Sequence, residues 1–487
     1  MGARARGLAA TVTPMSAARP DCYVIGSGPN GLVAAITMAR AGKRVTVLEA
    51  APTPGGGCRT AELTLPGFRH DVCAAVLPMG LGSPALRDLP LAEHGVVWVH
   101  PEIPLAHPLP TGAAVLHRSL EDTAVGLGAD GDAWRRLMKP LVRGLGPADD
   151  LLSLLSLPRH PVALAPFALT GLVGAERLAR RRLATVRGRA LLAGLAGHSA
   201  MPLDRWFSSG VGLVLGAYAH LVGWPVAQGG SQSVIDALVA ILGEHGGTVE
   251  CGHRVGALDE LPPHAIVLAD VRPEALAALA GDRLGPRARR RYEGFRRGPG
   301  TFKLDYALSA PVPWSDPAVR RAGTVHVGGP LEEVAAAEAT VGRGGHPVRP
   351  FVIAAQATVC DPTRAPDGQH TLWAYCHVPN GSTVDMTEAL EGQIERFAPG
   401  FRDVVVARHA TSSPALHTYN ENCLGGDITG GVSDWRQLVS RPVLSRKPWR
   451  TPIPGVYLCS SSTPPGGGVH GMCGHHAART ALADFPT

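Results

Sequence analysis

The stretch Asp21–Ala50, "DCYVIGSGPNGLVAAITMARAGKRVTVLEA", constrains the fold more than any other. Tyr23, Val24 and Ile25 read as a buried parallel strand. Gly26, Gly28 and Gly31 follow as G-x-G-x-x-G and lead into a helix. Leu32, Ala35, Ile36 and Ala39 share one face of that helix, and Gly42 stops it. A second strand, Val45 to Leu48, ends at Glu49. Each glycine has a task in such a unit. Gly26 makes the tight turn, Gly28 admits a pyrophosphate to the backbone, and Gly31 lets helix and strand pack closely. The helix start faces the phosphates, and Glu49 is placed to accept from ribose hydroxyls. A Rossmann-type dinucleotide site is predicted here, with Gly26, Gly28, Pro29, Asn30, Gly31, Glu49 and Ala50 as contacts.

A second glycine cluster lies shortly beyond, in "APTPGGGCRT", Ala51 to Thr60. It lets the chain pass a diphosphate again, which a nicotinamide cofactor does not generally need. With these residues the chain resembles the phytoene desaturase-like branch of the FAD-dependent amine oxidase superfamily. The resemblance implies FAD, with Gly55 and Gly56 as that family's Gly-Gly doublet. Two positions depart from the pattern: Ala51 and Gly57 stand where the family often has Arg. Gly57 and Arg59 are kept as cofactor contacts, Arg59 taking over an anion contact.

The resemblance continues along the chain. "GGSQSVIDALVAILGEHGGTVECGHRVGAL", Gly229 to Leu258, reads as a helix and a strand that return to the FAD domain, and Val255 matches the residue whose backbone meets the adenine. Lys303 and Asp305 alternate with Phe302, Leu304 and Tyr306; the charged pair faces either substrate or, as is more usual, solvent, and a solvated face is expected. "NENCLGGDITGGVSDWRQLVSRP", Asn420 to Pro442, resembles a flavin-approaching segment of the pyridine nucleotide-disulfide oxidoreductase domain group, with Asp427 as a polar site residue or a turn former. At the end, "GVYLCSSSTPPGGGVHGMCGHHAARTAL" predicts a strand at Val456–Cys459, a loop, and a helix from near His470. Gly467, Gly468, Gly471 and Met472 match the family's flavin-contacting positions. Ser460 to Ser462 stand where many relatives place a ribityl-binding Asp. His470, Cys473, His475 and His476 crowd into seven residues at no common zinc spacing, so no metal is expected.

The expected fold is α/β: a discontinuous Rossmann-type FAD-binding domain (21–100, 221–297 and 450–487) and an α+β substrate domain (101–220 and 298–449), amine oxidase/phytoene desaturase-like. Residues 1–20 read as a disordered leader, with Met15 as an alternative start. The net charge of +6 is small for 487 residues, and no basic run interleaves with aromatics, so nucleic acid is not an expected partner. Nine scattered cysteines without a CxxC pair or a secretory apolar core predict a cytoplasmic chain with reduced thiols. "PVALAPFALTGLVGA", Pro161 to Ala175, is flanked by Arg159, Arg177, Arg180, Arg181 and Arg182. It reads as a core or domain-packing segment or, more sharply, as a helical patch that lies on a membrane surface or opens an apolar tunnel.

The resemblance implies an enzyme, an FAD-dependent dehydrogenase or desaturase. It would oxidise a carbon–carbon bond of an apolar carotenoid- or isoprenoid-like substrate and pass electrons to an external acceptor, oxygen or a quinone. Amine or amino-acid oxidation would favour an aromatic cage, and aromatics are 5% of the chain. A redox-neutral FAD-dependent isomerase and a non-catalytic FAD-stabilised protein are the remaining alternatives. His198, His220, His377 and Asp427 are candidate proton-handling groups, with no catalytic residue assigned.

Overall fold

The computed structural model describes residues 21–486 except positions 154 and 156; the leader and the Met15 start assigned to residues 1–20 lie outside them. Five parallel strands form one sheet in the order Val456–Leu458, Ile266–Ala269, Cys22–Ile25, Val45–Glu49, Thr248–Cys251. The inner strands are continuous apolar runs because helices cover both faces. On one face pack the helices Pro29–Arg40, Gln232–Glu244 and Met472–Asp484. Pro29 opens the first of these with the φ a helix start requires. Small residues set the spacing: a Cβ on Gly31 would fall on the Gly26 carbonyl, and one on Gly474 would fall on the Asn30 carbonyl. The last helix can therefore cross the first at backbone contact. It starts at Met472, two residues beyond the expected His470, because the N-cap Gly471 is left-handed, with φ +67°; Met472 N–H donates to His470 Nδ1 at 3.0 Å.

The second sheet has seven strands, in the order Val405–Thr411, Gly300–Leu308, His370–Val378, Val352–Ala355, Ala322–Val327, Ile103–Leu109, Gly112–Leu116. It is antiparallel except where Ala322–Val327 runs parallel to Ile103–Leu109. Helices drawn from residues 120–221 cover one face together with Leu331–Gly342, and Thr387–Glu395 covers the other.

Two expectations fail here. Lys303 and Asp305 are buried, not solvated. Their face turns toward Trp373 and His70, and the two charges pair with one another. Alternation revealed the two faces of the strand but not that both are covered. Conversely, Pro161–Gly171 is not core packing: nearly all of this apolar helix is open to solvent.

Candidate active site

A cavity of about 910 Å³ lies between the two sheets, at the carboxyl ends of the parallel strands. That is where α/β folds place ligands, and the volume is near the upper end of ligand pockets. One end is built from the first strand–helix turn. Glu49, the last residue of its strand, is buried. Its Oε2 accepts from Ser27 N at 2.9 Å and Ser27 Oγ at 2.5 Å, and its Oε1 accepts from Ala51 N at 2.8 Å. About one of a carboxylate's four acceptor positions is left for a ligand. Asp270 directly follows Ile266–Ala269, the strand on the other side of Cys22–Ile25, and its Oδ2 accepts from Gly31 N at 3.0 Å. Burial raises its carboxyl to a pKa of about 7. Asn30 Oδ1 and Arg272 Nε, from two residues of this wall, are buried without a hydrogen-bond partner. A dinucleotide fits these features: an open acceptor on Glu49, orphaned polar atoms, and backbone without Cβ at Gly26 and Gly28.

The other end is lined by the second sheet and its helices. Trp373 and Tyr375 project from one strand face, rings edge to face with centroids 5.1 Å apart. Trp224, Ile353, Leu215 and Ile428 complete an apolar wall. Thr324 Oγ1 and Trp373 Nε1 are buried and unpartnered there. His198 joins the wall with its Nε2 2.8 Å from His326 Nε2, and burial holds it neutral, with a pKa of about 3. Asp427 is fully committed: it accepts from Gly298 N, Gly431 N, Thr429 N and Thr429 Oγ at 2.7 to 2.9 Å. Cys73 and Cys423 meet at the wall. Each thiol shifts the other: the proximity of Cys423 holds Cys73 below the usual thiol range, and that of Cys73 pushes Cys423 well above it.

Residues 24–89 match the model of the NAD(P)-binding Rossmann-like domain family. Pyridine nucleotide-disulfide oxidoreductase domain-containing protein 2 of Rattus norvegicus is 26% identical over 96% of this chain and 94% of its own length. A limonene dehydrogenase component of Castellaniella defragrans is 37% identical over 102 residues, 21% of this chain and 18% of that protein. Cyclohexylamine oxidase from Brevibacterium oxydans superposes with a TM-score of 0.58 at 14% identity, over 96% of this chain and 100% of that one. The chain has the amine oxidase-like fold and carries a Rossmann-like dinucleotide-binding unit.

Of the residues expected to hold a cofactor, Gly26, Gly28, Pro29, Asn30, Glu49, Ala50, Gly56, Gly57, Arg59, Val255 and Gly468 all line the cavity. Gly31, Gly55, Gly467, Gly471 and Met472 stand behind its wall. A Cβ on Gly467 would lie 2.7 Å from the Thr429 carbonyl, and one on Gly471 would strike Val33. These two glycines admit other parts of the chain itself, the Thr429 backbone and the Val33 side chain. Arg59 is anchored by the protein around it. It donates to the carbonyls of Thr53 and Pro54 and lies 3.6 Å from Glu49, so it braces the second glycine loop. Among the proton-handling candidates, His220 accepts from Trp134 Nε1 and His377 pairs with Glu338, and neither lines the cavity. A low aromatic content did not forbid a local concentration: Trp224, Trp373 and Tyr375 converge on one wall from distant parts of the sequence. Asp270 and Arg272 were missed, although "HAIVLAD" ends at the carboxyl edge of a parallel strand just as Glu49 does.

Proposed function

We propose that this protein is an oxidoreductase that binds FAD non-covalently along the Glu49 end of the cavity and dehydrogenates a carbon–carbon bond of an apolar, isoprenoid-like substrate at the Trp373 end. The observation that carries this reading is one continuous cavity with a glycine-lined, carboxylate-anchored end and an apolar end. When bound, FAD supplies an acceptor for hydride. Glu49 offers its remaining acceptor position to ribose hydroxyls, and the start of the helix Pro29–Arg40 offers positive potential to the diphosphate. Trp224, Trp373 and Tyr375 exclude water and orient the substrate. Thr324 Oγ1 and Trp373 Nε1 fix whatever polar atom reaches them. The neutral His198 adds no charge, and the wall holds no uncommitted carboxylate to pair with an ammonium group, since Asp427 is saturated by the protein. The local similarity to a limonene dehydrogenase is consistent with this substrate class. Oxygen or a quinone serves as the external acceptor.

Amine oxidation is the second reading, favoured by the three aromatic rings, which suit a cation. Anaerobic titration of the FAD-loaded protein separates the two. Loss of the oxidised flavin absorbance on adding a cyclic or linear isoprenoid, with none on adding putrescine or cyclohexylamine, is expected. Bleaching by the amines alone overturns the carbon–carbon reading.

A further inference from the structure

The helix Pro161–Gly171, "PVALAPFALTG", carries no charged residue and has Thr170 as its one hydroxyl. A helix on the surface of a water-soluble protein normally turns a polar face outward, and one that is apolar all round is normally buried. This helix is neither. Leu164 and Phe167 tether one edge to the helical layer over the second sheet. Ser209 Oγ, donating to the Thr170 carbonyl at 2.6 Å, holds its end. The remaining apolar side chains face out: Val162 is 82% exposed and Leu169 78%. Leu157, just before the helix, is 92% exposed, and Trp206 is 67% exposed. Trp206 belongs to the patch because its neighbour Phe207 donates its N–H to the Leu172 carbonyl at 3.0 Å. Several large apolar side chains side by side on one surface are the signature of something that covers them.

The charges beside the patch indicate what covers it. The chain turns by 102° after Gly171 into the helix Ala175–Arg182. Arg177, Arg181 and Arg182 there are exposed and have no carboxylate partner among the described residues. An apolar strip bordered by unpaired guanidinium groups complements a surface with hydrocarbon below and anionic headgroups above. We propose that Pro161–Gly171 and Trp206 dock this protein onto an anionic lipid surface, with Val162, Leu169 and Trp206 entering the acyl boundary and Arg177, Arg181 and Arg182 pairing with headgroup phosphates. No single helix among the described residues is long and apolar enough to cross a membrane, and the docked helix lies in the interface. The same helix packs on Ser208–Leu221, whose Leu215 lines the cavity, so the docked face and the apolar end of the cavity share one supporting helix.

The test is flotation of the full-length protein with vesicles, alongside sedimentation without lipid. Wild-type protein is expected to float with phosphatidylcholine–phosphatidylglycerol vesicles at low salt. It should float less with phosphatidylcholine alone, and less when salt screens the headgroups. Leu169→Asp combined with Trp206→Ser should lower the partition coefficient roughly tenfold or more, and each Arg→Gln change among the three arginines roughly fivefold. All five side chains are exposed, and an unchanged thermal midpoint verifies that each variant folds. No flotation of the wild type with the anionic vesicles at low salt overturns the proposal. So does flotation unaffected by the double substitution. A wild-type dimer that this substitution splits, without lipid binding, also overturns it and assigns the face to a second copy.

Discussion

Glu49 and Asp270 stand at the carboxyl ends of the two strands that flank Cys22–Ile25, yet their carboxyl groups are bonded differently. Glu49 is satisfied by three donors, whereas Asp270 receives one backbone N–H and is otherwise desolvated. Burial raises the Asp270 pKa from an ordinary 3.8 to about 7. Between those values the folded chain keeps a proton that the unfolded chain has released. Stability from this group is therefore complete below about pH 4, declines as pH rises toward 7, and levels off above it. Asp270→Asn should flatten that decline in denaturant midpoints measured across the range. The same carboxyl sits at the helix start expected to face the diphosphate, so ionising it opposes the cofactor. Wild-type FAD affinity should fall up to about tenfold per pH unit above 7, and isothermal titration with the Asn variant should show no such fall. Glu49 was legible in the sequence because it follows G-x-G-x-x-G at a fixed distance. Asp270 was not, because nothing local shows which residue lies across the helix start. That is decided by Ile266–Ala269 pairing with Cys22–Ile25, more than two hundred residues apart.

At the level of elements, the glycines of the last loop and helix matter most. Their abundance suggested a surface laid against a cofactor. Gly468 does line the cavity, but Gly467, Gly471 and Gly474 abut Thr429, Val33 and Asn30. A sequence reveals that a side chain is forbidden; it does not reveal whether ligand or backbone forbids it. Gly474→Ala should push the helices Met472–Asp484 and Pro29–Arg40 apart and destabilise by about 1–3 kcal/mol, as overpacked cores do. Gly243 is the control. It is also helical, but a Cβ there meets nothing within 4 Å. Gly243→Ala should stabilise by about 0.5–1 kcal/mol through the unfolded chain's lost freedom. Urea midpoints of the two variants should move in opposite directions. Strand faces were partly legible in the same way. The Lys303–Asp305 alternation was clear, but the hairpin carrying His70 that covers it comes from a distant part of the chain.

At the scale of the whole molecule, a buried ionic knot ties the hairpin ending at Asp71 and the Gly229–Ser231 turn to the loop before the strand His370–Val378. Arg364 lies between Asp71 and Asp361. Asp71 also accepts from Ser231 N at 2.8 Å, and Asp361 accepts from Gly229 N at 2.8 Å. Arg364→Leu leaves two buried carboxylates uncompensated and should cost about 3–5 kcal/mol. Denaturant unfolding followed by intrinsic fluorescence should show the lower midpoint. The dinucleotide half was readable from local motifs, while the wall of Trp224, Trp373 and Tyr375 exists only once the second sheet has assembled. The strand order of the first sheet has a temporal consequence. Val456–Leu458 pairs with Ile266–Ala269 at its edge, and Gly468 closes the cavity behind it. Both leave the ribosome after the other strands of the two sheets. A nascent chain can form its nucleotide turn early but has no finished pocket until these residues emerge. On the proposed reading, capture of FAD comes late in synthesis, and a chain that stalls before Val456–Leu458 appears stays empty.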